Sequence, residues 1–269
     1  MVTVHLYIEG GPKGAKENAA DMIRWREAFN SFFGKTTLGN TSKPKSIICG
    51  GRSQAMDAFV GAMKVADADT RSLLLIDSEG PAPGNVNGLT ALACLEKRAD
   101  DKGKIPKKTD PWRLHLMVET MEAWLLADRD RMKRYYGKAF KEVALPSTTS
   151  GQRVEQIAKS VLEKGFKKAT KDTDKGEYER KKGSHSPDLL EAIDAKKVVA
   201  QCAWAERLVN VIANLKAGVP IKENTNTTYG PAAQKASSGA KASVSKKSTR
   251  RKVRPPSNQR TGKGKKHKP

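Results

Sequence analysis

The chain has 269 residues, of which 37% are hydrophobic and 6% aromatic, and its formal net charge is +22. That length holds one large domain or two small ones, and that apolar content excludes a fibrous or wholly disordered chain. The charge is uneven: residues 230–269 carry 13 Lys/Arg and no acid, leaving 38 Lys/Arg against 29 Asp/Glu, a net +9, on residues 1–229. A moderately basic globule with a strongly basic tail is the expected arrangement.

Cys49, Cys94 and Cys202 lie far apart, with no CxxC pair and no histidine at zinc-ligand spacing, so neither a disulfide framework nor a zinc site is encoded locally. The first ten residues lack a basic region, and no stretch approaches the roughly 18 apolar residues of a membrane span. The expectation is a soluble chain in a reducing cytoplasm, without a membrane partner.

In chain order, Val2, Val4, Leu6 and Ile8 form a short β-rich run that ends at Glu9-Gly10-Gly11. Met22, Trp25, Phe29 and Phe32 then recur at helical spacing. Ser46–Cys49 is a second apolar run, closed by Gly50-Gly51, after which Ser53 is placed to cap a helix carrying Met56, Val60 and Met63. Ser72–Ile76 is continuously apolar, as a strand covered on both faces should be, and runs into Asp77-Ser78-Glu79-Gly80. The βαβαβ order predicts a parallel sheet. A short apolar segment around Leu89, Leu92 and Leu95 and a polar insertion over 100–111 separate this strand from a fourth at 113–118, followed at once by a helix over 119–128.

Beyond Pro146 the pattern turns helical, with Val154, Ile157, Val161 and Leu162 on one stripe and Val198, Cys202, Leu208, Val209 and Ile212 on another. Between them, 164–185 is dense in Lys, Gly and Asp and reads as a mobile loop or an anion-facing surface. The expected organisation is an α/β core over 1–145, a helical cap over 146–220 packed on it, and a basic tail over 221–269. The tail is poor in large apolar residues, especially after Gly230, and cannot offset the entropy of ordering, so disorder is expected there.

In an open parallel sheet, ligands gather beyond the carboxyl ends of the strands. Glu9 ends the first strand, Asp77 and Glu79 the third, and Glu119 and Glu122 stand where the fourth gives way to a helix. Any one of these acids is commonly a turn or capping residue, and a helical glutamate such as Glu122 is usually solvated. Together they form a group whose mutual repulsion a divalent cation would relieve, and all-oxygen ligands suit Mg²⁺ or Mn²⁺. Such an ion activates water and stabilises charge on a phosphodiester.

This arrangement of a Glu followed by an Asp-x-Glu pair resembles the TOPRIM fold of topoisomerases, primases and overcoming-lysogenization-defect nucleases. More narrowly, Tyr7-Ile8-Glu9-Gly10-Gly11, Cys49-Gly50-Gly51-Arg52, Leu75-Ile76-Asp77-Ser78-Glu79-Gly80 and the run from His115 to Asp128 around Met121-Glu122-Ala123-Trp124 resemble the signatures of the domain-of-unknown-function family numbered 4276. The resemblance covers roughly Thr3 to Leu215. It implies a TOPRIM-like Rossmannoid sheet and a metal-dependent nuclease beside an ABC/SMC-type ATPase in a phage-defence system. Glu9, Asp77 and Glu79 fall on the TOPRIM acids, although the second acid of the pair is Glu here and reaches one methylene further. Glu122 belongs to the Met-Glu-Ala-Trp signature and is read as a fourth catalytic acid.

Basic residues complete the reading. Arg52 follows the second strand on the same edge and could hold a phosphate by its fork or pair with an acid. The resemblance places Tyr178, Lys181, Lys182 and His185 in a Tyr then Lys-x-x-His arrangement; Lys182 and His185 are read as nucleic-acid contacts, or as a solvated face, with His185 by itself a surface histidine. In the tail, Arg250, Arg251 and Lys252 are of the kind that neutralise phosphates without reading sequence. The expected partner is DNA or RNA, and without interleaved aromatics stacking on bases is not expected. The alternatives are a non-catalytic nucleic-acid-binding or regulatory subunit and an enzyme acting on small phosphate esters.

Overall fold

The computed structural model describes residues 2–11, 19–65, 67–82, 85–148 and 151–221. Among these, β1 (Thr3–Ile8), β2 (Lys45–Ile48), β3 (Thr70–Asp77) and β4 (Leu114–Met117) form one sheet in the order β2-β1-β3-β4. Every pairing is parallel, with Ile8 opposite Ile48 and Leu75 in register and Asp77 opposite Met117. Parallel neighbours need crossovers, and helices supply them: α1 (Ala19–Gly34) and the short α2 (Gly39–Ser42) join β1 to β2, α3 (Arg52–Val65) joins β2 to β3, and α4 (Gly88–Glu96) lies between β3 and β4.

The chain steps from β1 outward to β2 and then back across to β3. The direction of winding therefore reverses between β1 and β3, which opens a crevice at their carboxyl ends.

Side-chain alternation decides what each face of the sheet covers. Val4, Leu6 and Ile8 of β1 and Leu73 and Leu75 of β3 point into an apolar cluster with Trp25, Phe29 and Phe32 of α1. Tyr7, Leu74, Ile76, Leu114 and Leu116 point the other way, against Met56 and Phe59 of α3 and Leu95 of α4. Each of these strands is thus buried on both sides, and their near-continuous apolar runs follow from that.

The remaining helices are α5 (Glu122–Leu126), α6 (Arg129–Tyr136), α7 (Lys159–Thr170), α8 (Tyr178–Ala192), α9 (Ala195–Gln201) and α10 (Ala203–Lys216). Trp124, Phe166, Leu189 and Leu208 belong to the same cluster as Leu6 and Phe29, so α5, α7, α8 and much of α10 pack on the α1 face of the sheet, while Ala203 and Trp204 at the start of α10 join the opposite cluster. The Trp124 ring stacks on Phe32 at 5.0 Å between centroids and ties α5 to α1. At the β4 edge, Arg207 donates to the Leu114 carbonyl at 2.8 Å, so α10 covers the side of the strand that no neighbour pairs. Glu155, buried, accepts hydrogen bonds from the main-chain N–H groups of Ala203 (2.7 Å) and Trp204 (3.4 Å), which satisfies the start of α10.

Three sequence expectations change. Ser53 does not cap α3: the helix already includes Arg52, and the Ser53 hydroxyl accepts from Lys104 at 2.8 Å. The expected helix over 119–128 starts only at Glu122, because Glu119 has a left-handed backbone, φ 61°. The Lys-rich stretch 164–185 is largely the second half of α7 and the first half of α8. Its few large apolar residues, Phe166 and Tyr178, sit where they face the core, while every lysine of the stretch but Lys182 faces outward. The basic tail, with Arg250, Arg251 and Lys252, lies outside the described residues. No helix among the described residues is long and apolar enough to cross a membrane.

Removal of the Trp124 ring opens a cavity between α1 and α5. Trp124→Ala is expected to lower unfolding free energy by about 3–5 kcal/mol in urea denaturation, while Val143→Ala, at a side chain 98% exposed, should change it by less than about 0.5 kcal/mol.

Candidate functional site

The crevice between β1 and β3 is where the sequence concentrates acids and glycines. Glu9 directly follows β1 and Asp77 is the last residue of β3, so parallel pairing of the two strands sets them side by side. The Asp77 main-chain N–H donates to Glu9 Oε2 at 3.2 Å. Gly10 exchanges two 2.9 Å hydrogen bonds with Gly50 and locks the β1 exit to the β2 exit. Gly11, at φ +95°, leaves no room for a side chain: a Cβ would sit 2.8 Å from Ile48 Cγ2. Two non-glycine residues adopt the left-handed conformation at the ends of the inner strands, Glu79 (φ 56°) and Glu119 (φ 61°). Ser78 braces both turns, since its hydroxyl accepts from the Glu119 N–H at 2.7 Å and donates to the Gly80 carbonyl. Strained backbone of this kind gathers where side chains must be aimed.

These exits frame a cavity of about 360 Å³. One wall carries Glu9, Asp77, Glu79 and Glu122; facing them are Lys159 from the start of α7 and Lys182 from α8; Trp25, Met117 and Met121 give an apolar side. Three of the acids have a cation. Arg52 Nη1 lies 3.2 Å from Glu9, Lys159 Nζ 2.6 Å from Glu79 and Lys182 Nζ 2.5 Å from Glu122. Arg52 is itself fixed by Asp101, 2.6 Å from its Nε, and by the Asp77 carbonyl at 2.5 Å.

Charge sorts the acids. Burial would raise the Glu122 carboxyl, but the ammonium of Lys182 and hydrogen bonds from Lys182, Thr120 and Tyr178 outweigh it and hold Glu122 below the ordinary glutamate range. Burial likewise opposes ionisation of Glu79, and the hydrogen bond and charge of Lys159 reverse that. Asp77 has no such partner. Burial, and then the nearby charges of Glu9 and Glu122, push its carboxyl well above the usual aspartate range, with Lys182 opposing only in part. Its Oδ1 is closed off from solvent and accepts no hydrogen bond.

An unpartnered, buried carboxylate oxygen among like charges is what a divalent cation would satisfy, and in this respect the residues fit one. Asp77, Glu9 and Glu79 are the side chains that would hold it. In the geometry of this structure no three His, Cys, Asp or Glu side chains among the described residues are disposed to hold an ion, because Glu9 and Glu79 face arginine and lysine instead.

Of the residues singled out from sequence, the structure brings Glu9, Asp77, Glu79, Glu122 and Lys182 to one cavity. Arg52 stands behind Glu9 in the acid-pairing alternative. Glu119 turns aside, its Oε2 accepting from the Lys159 main-chain N–H at 3.0 Å. Glu122 is 1% exposed, against the solvated position usual for a helical glutamate. His185 is a correction. It is 5% exposed and accepts or donates at Nδ1 to the Tyr136 hydroxyl at 3.0 Å, with edge contacts to the Tyr135 and Tyr136 rings. Burial, then Lys181, pushes its imidazole below the ordinary range, so it offers nucleic acid neither surface nor charge. Lys181 is exposed and donates to the Lys175 carbonyl at 2.7 Å.

Lys159 and Asp101 escaped the sequence reading. One lysine among the many of a basic chain carries no periodic or motif signal, and Asp101 lies in a polar insertion that looked like plain loop.

The sign of the Asp77 shift gives a test. Its folded form binds the proton more tightly than the unfolded chain, so the stability this provides is present at low pH and is lost as pH rises above the ordinary carboxylate range. Asp77→Asn should therefore raise the melting temperature of the metal-free protein at neutral pH, with the gap closing as the pH is lowered into the carboxylate range; melts across pH, with chelator present, measure it.

Comparison with curated proteins gives no match, and neither does comparison with solved structures. The sequence model of the family described as "Domain of unknown function (DUF4276)" matches residues 21–213, which runs from the first turn of α1 to the last turn of α10 and takes in every acid of the cavity except Glu9. The chain belongs to that family.

Proposed function

We propose that this protein is a TOPRIM-like, metal-dependent nuclease that hydrolyses nucleic-acid phosphodiesters with Mg²⁺ or Mn²⁺, as part of a phage-defence system with an ABC/SMC-type ATPase. The observation that carries the catalytic part is Asp77: a carboxylate with one buried, unpartnered oxygen, beside Glu9, Glu79 and Glu122 at the winding reversal of a parallel sheet. The defence setting and the ATPase partner rest on the family resemblance.

A bound ion would be held by Glu9, Asp77 and Glu79, and its chemistry is to acidify water and neutralise charge on phosphate oxygens. The chain's own residues do the rest. Gly10 and Gly11 keep the β1 exit free of side chains, so a phosphate can approach the main chain. Lys182 and Lys159 put positive charge on the cavity wall, which favours the negative charge that grows on the phosphoryl oxygens. In the reaction the oxygen of a water adds to phosphorus and its proton passes to solvent, the ester P–O bond breaks, and the leaving oxygen takes a proton from solvent. Arg52 acts through Glu9, and the basic tail, including Arg250, Arg251 and Lys252, adds affinity for DNA or RNA without selecting sequence.

A second reading is favoured by one observation: Glu9, Glu79 and Glu122 already have internal cations. On that reading the chain is a non-catalytic nucleic-acid-binding or regulatory subunit.

Asp77→Ala should abolish Mn²⁺- or Mg²⁺-dependent cleavage, a loss of at least about 10³-fold, with the circular dichroism spectrum unchanged; full activity in that variant refutes the assignment. Retardation of nucleic acid with a steep negative dependence on salt, but intact substrate with either ion and with the partner ATPase, selects the second reading.

A further inference from the structure

Both carboxylate oxygens of Glu122 are held by protein donors. Its Oε1 accepts from the Tyr178 hydroxyl at 2.7 Å and faces Lys182 Nζ at 2.5 Å, and its Oε2 accepts from the Thr120 hydroxyl. Tyr178 is in turn 2.8 Å from the Ser186 hydroxyl. Glu122, Tyr178, Thr120 and Ser186 are all essentially closed to solvent, whereas the Lys182 side chain is 41% exposed and lines the cavity. A metal ligand must offer oxygen lone pairs; here protein donors already engage both oxygens.

The backbone agrees with that division of labour. α8 is interrupted at Lys181, whose φ −121° and ψ 20° are not helical, immediately before Lys182. The break lets Tyr178 enter the core on one side of it while Lys182 turns to the cavity on the other. A buried carboxylate held by two hydroxyls is a rigid anchor, and the charge paired with it is the ammonium at the cavity wall.

We propose that Lys182 is the residue of this site that contacts the reacting phosphate, and that Glu122, oriented by Tyr178 and Thr120, is a positioning residue for Lys182 and neither a ligand of the ion nor an acid of the reaction. This rests on the nuclease reading for the reaction, while the anchoring itself does not. It also revises the sequence expectation that Glu122 is a fourth catalytic acid. The Lys159–Glu79 pair is a different case, because both partners are partly exposed and neither is held by a buried network.

Two measurements on the full chain test it. In Mn²⁺-dependent cleavage, Lys182→Met should lower kcat by about 100-fold with KM within about threefold, and Lys182→Arg should recover part of the loss. Glu122→Gln should match Lys182→Met, and the double variant should be no worse than either, because Glu122 acts through Lys182. Tyr178→Phe, which leaves the ion pair in place, should show a smaller loss of the same kind and serves if Glu122→Gln does not fold.

In the second measurement, thymidine 3′,5′-bisphosphate is titrated calorimetrically, with and without Mg²⁺. Lys182→Met and Glu122→Gln should each weaken its binding about tenfold, again without additivity. Additive losses, a Glu122→Gln variant that cleaves or binds like the unsubstituted chain, or a chain that binds no bisphosphate under either condition would overturn the proposal. A chain that shows the expected binding pattern yet cleaves nothing would remove the nuclease reading and leave the Lys182 anchoring in place.

Discussion

Electrostatic repulsion among carboxylates is the constraint around which this site is built. Parallel pairing of β1 with β3 brings Glu9 beside Asp77, the turn after β3 adds Glu79, and the start of α5 beyond β4 adds Glu122. Four acids around a cavity of about 360 Å³ need positive charge, and the fold draws it from three separate places: Arg52 at the start of α3, Lys159 at the start of α7 and Lys182 in α8. α7 and α8 are therefore part of the site, since two of the three compensating cations come from them.

The compensation is graded, and the grading gives the acids different characters. Both oxygens of Glu122 are held in a buried network, Glu9 pairs with Arg52 out of solvent, Glu79 pairs with Lys159 where both are partly exposed, and Asp77 keeps one oxygen with no hydrogen-bond partner. A single unpartnered carboxylate oxygen among satisfied ones costs local stability, and under the proposed function a bound cation would relieve that cost. The left-handed turns at Glu79 and Glu119 and the exclusion of any side chain at Gly11 belong to the same design, because they set where the strand exits point.

Much of the core was legible in the amino-acid sequence. The four strands fall where the apolar runs put them, since a strand buried on both faces must be continuously hydrophobic, and Leu73 to Ile76 can hardly be read otherwise. The acids at the strand exits were legible for a related reason: a charged residue abutting such a run marks the point where the strand leaves the core. The helices of 164–185 were not, because a helix half covered by lysine has too few apolar residues to show a period, and Phe166 and Tyr178 carry its burial almost alone. His185 misled because a histidine among lysines looks solvent-facing, while its packing against Tyr135 and Tyr136 depends on α6, some fifty residues earlier.

The sequence by itself determined the parallel α/β sheet, the acids at its carboxyl edge and the excess of positive charge, because each is encoded in residues adjacent along the chain or repeated at a fixed period. Only the tertiary structure decided which cation meets which acid, that Arg52 serves Glu9 and Asp101, and that Asp77 keeps an unpartnered oxygen. Pairings of that kind join residues 40 to 80 positions apart, and a charge carries no mark in the sequence of the partner it will find once helices pack.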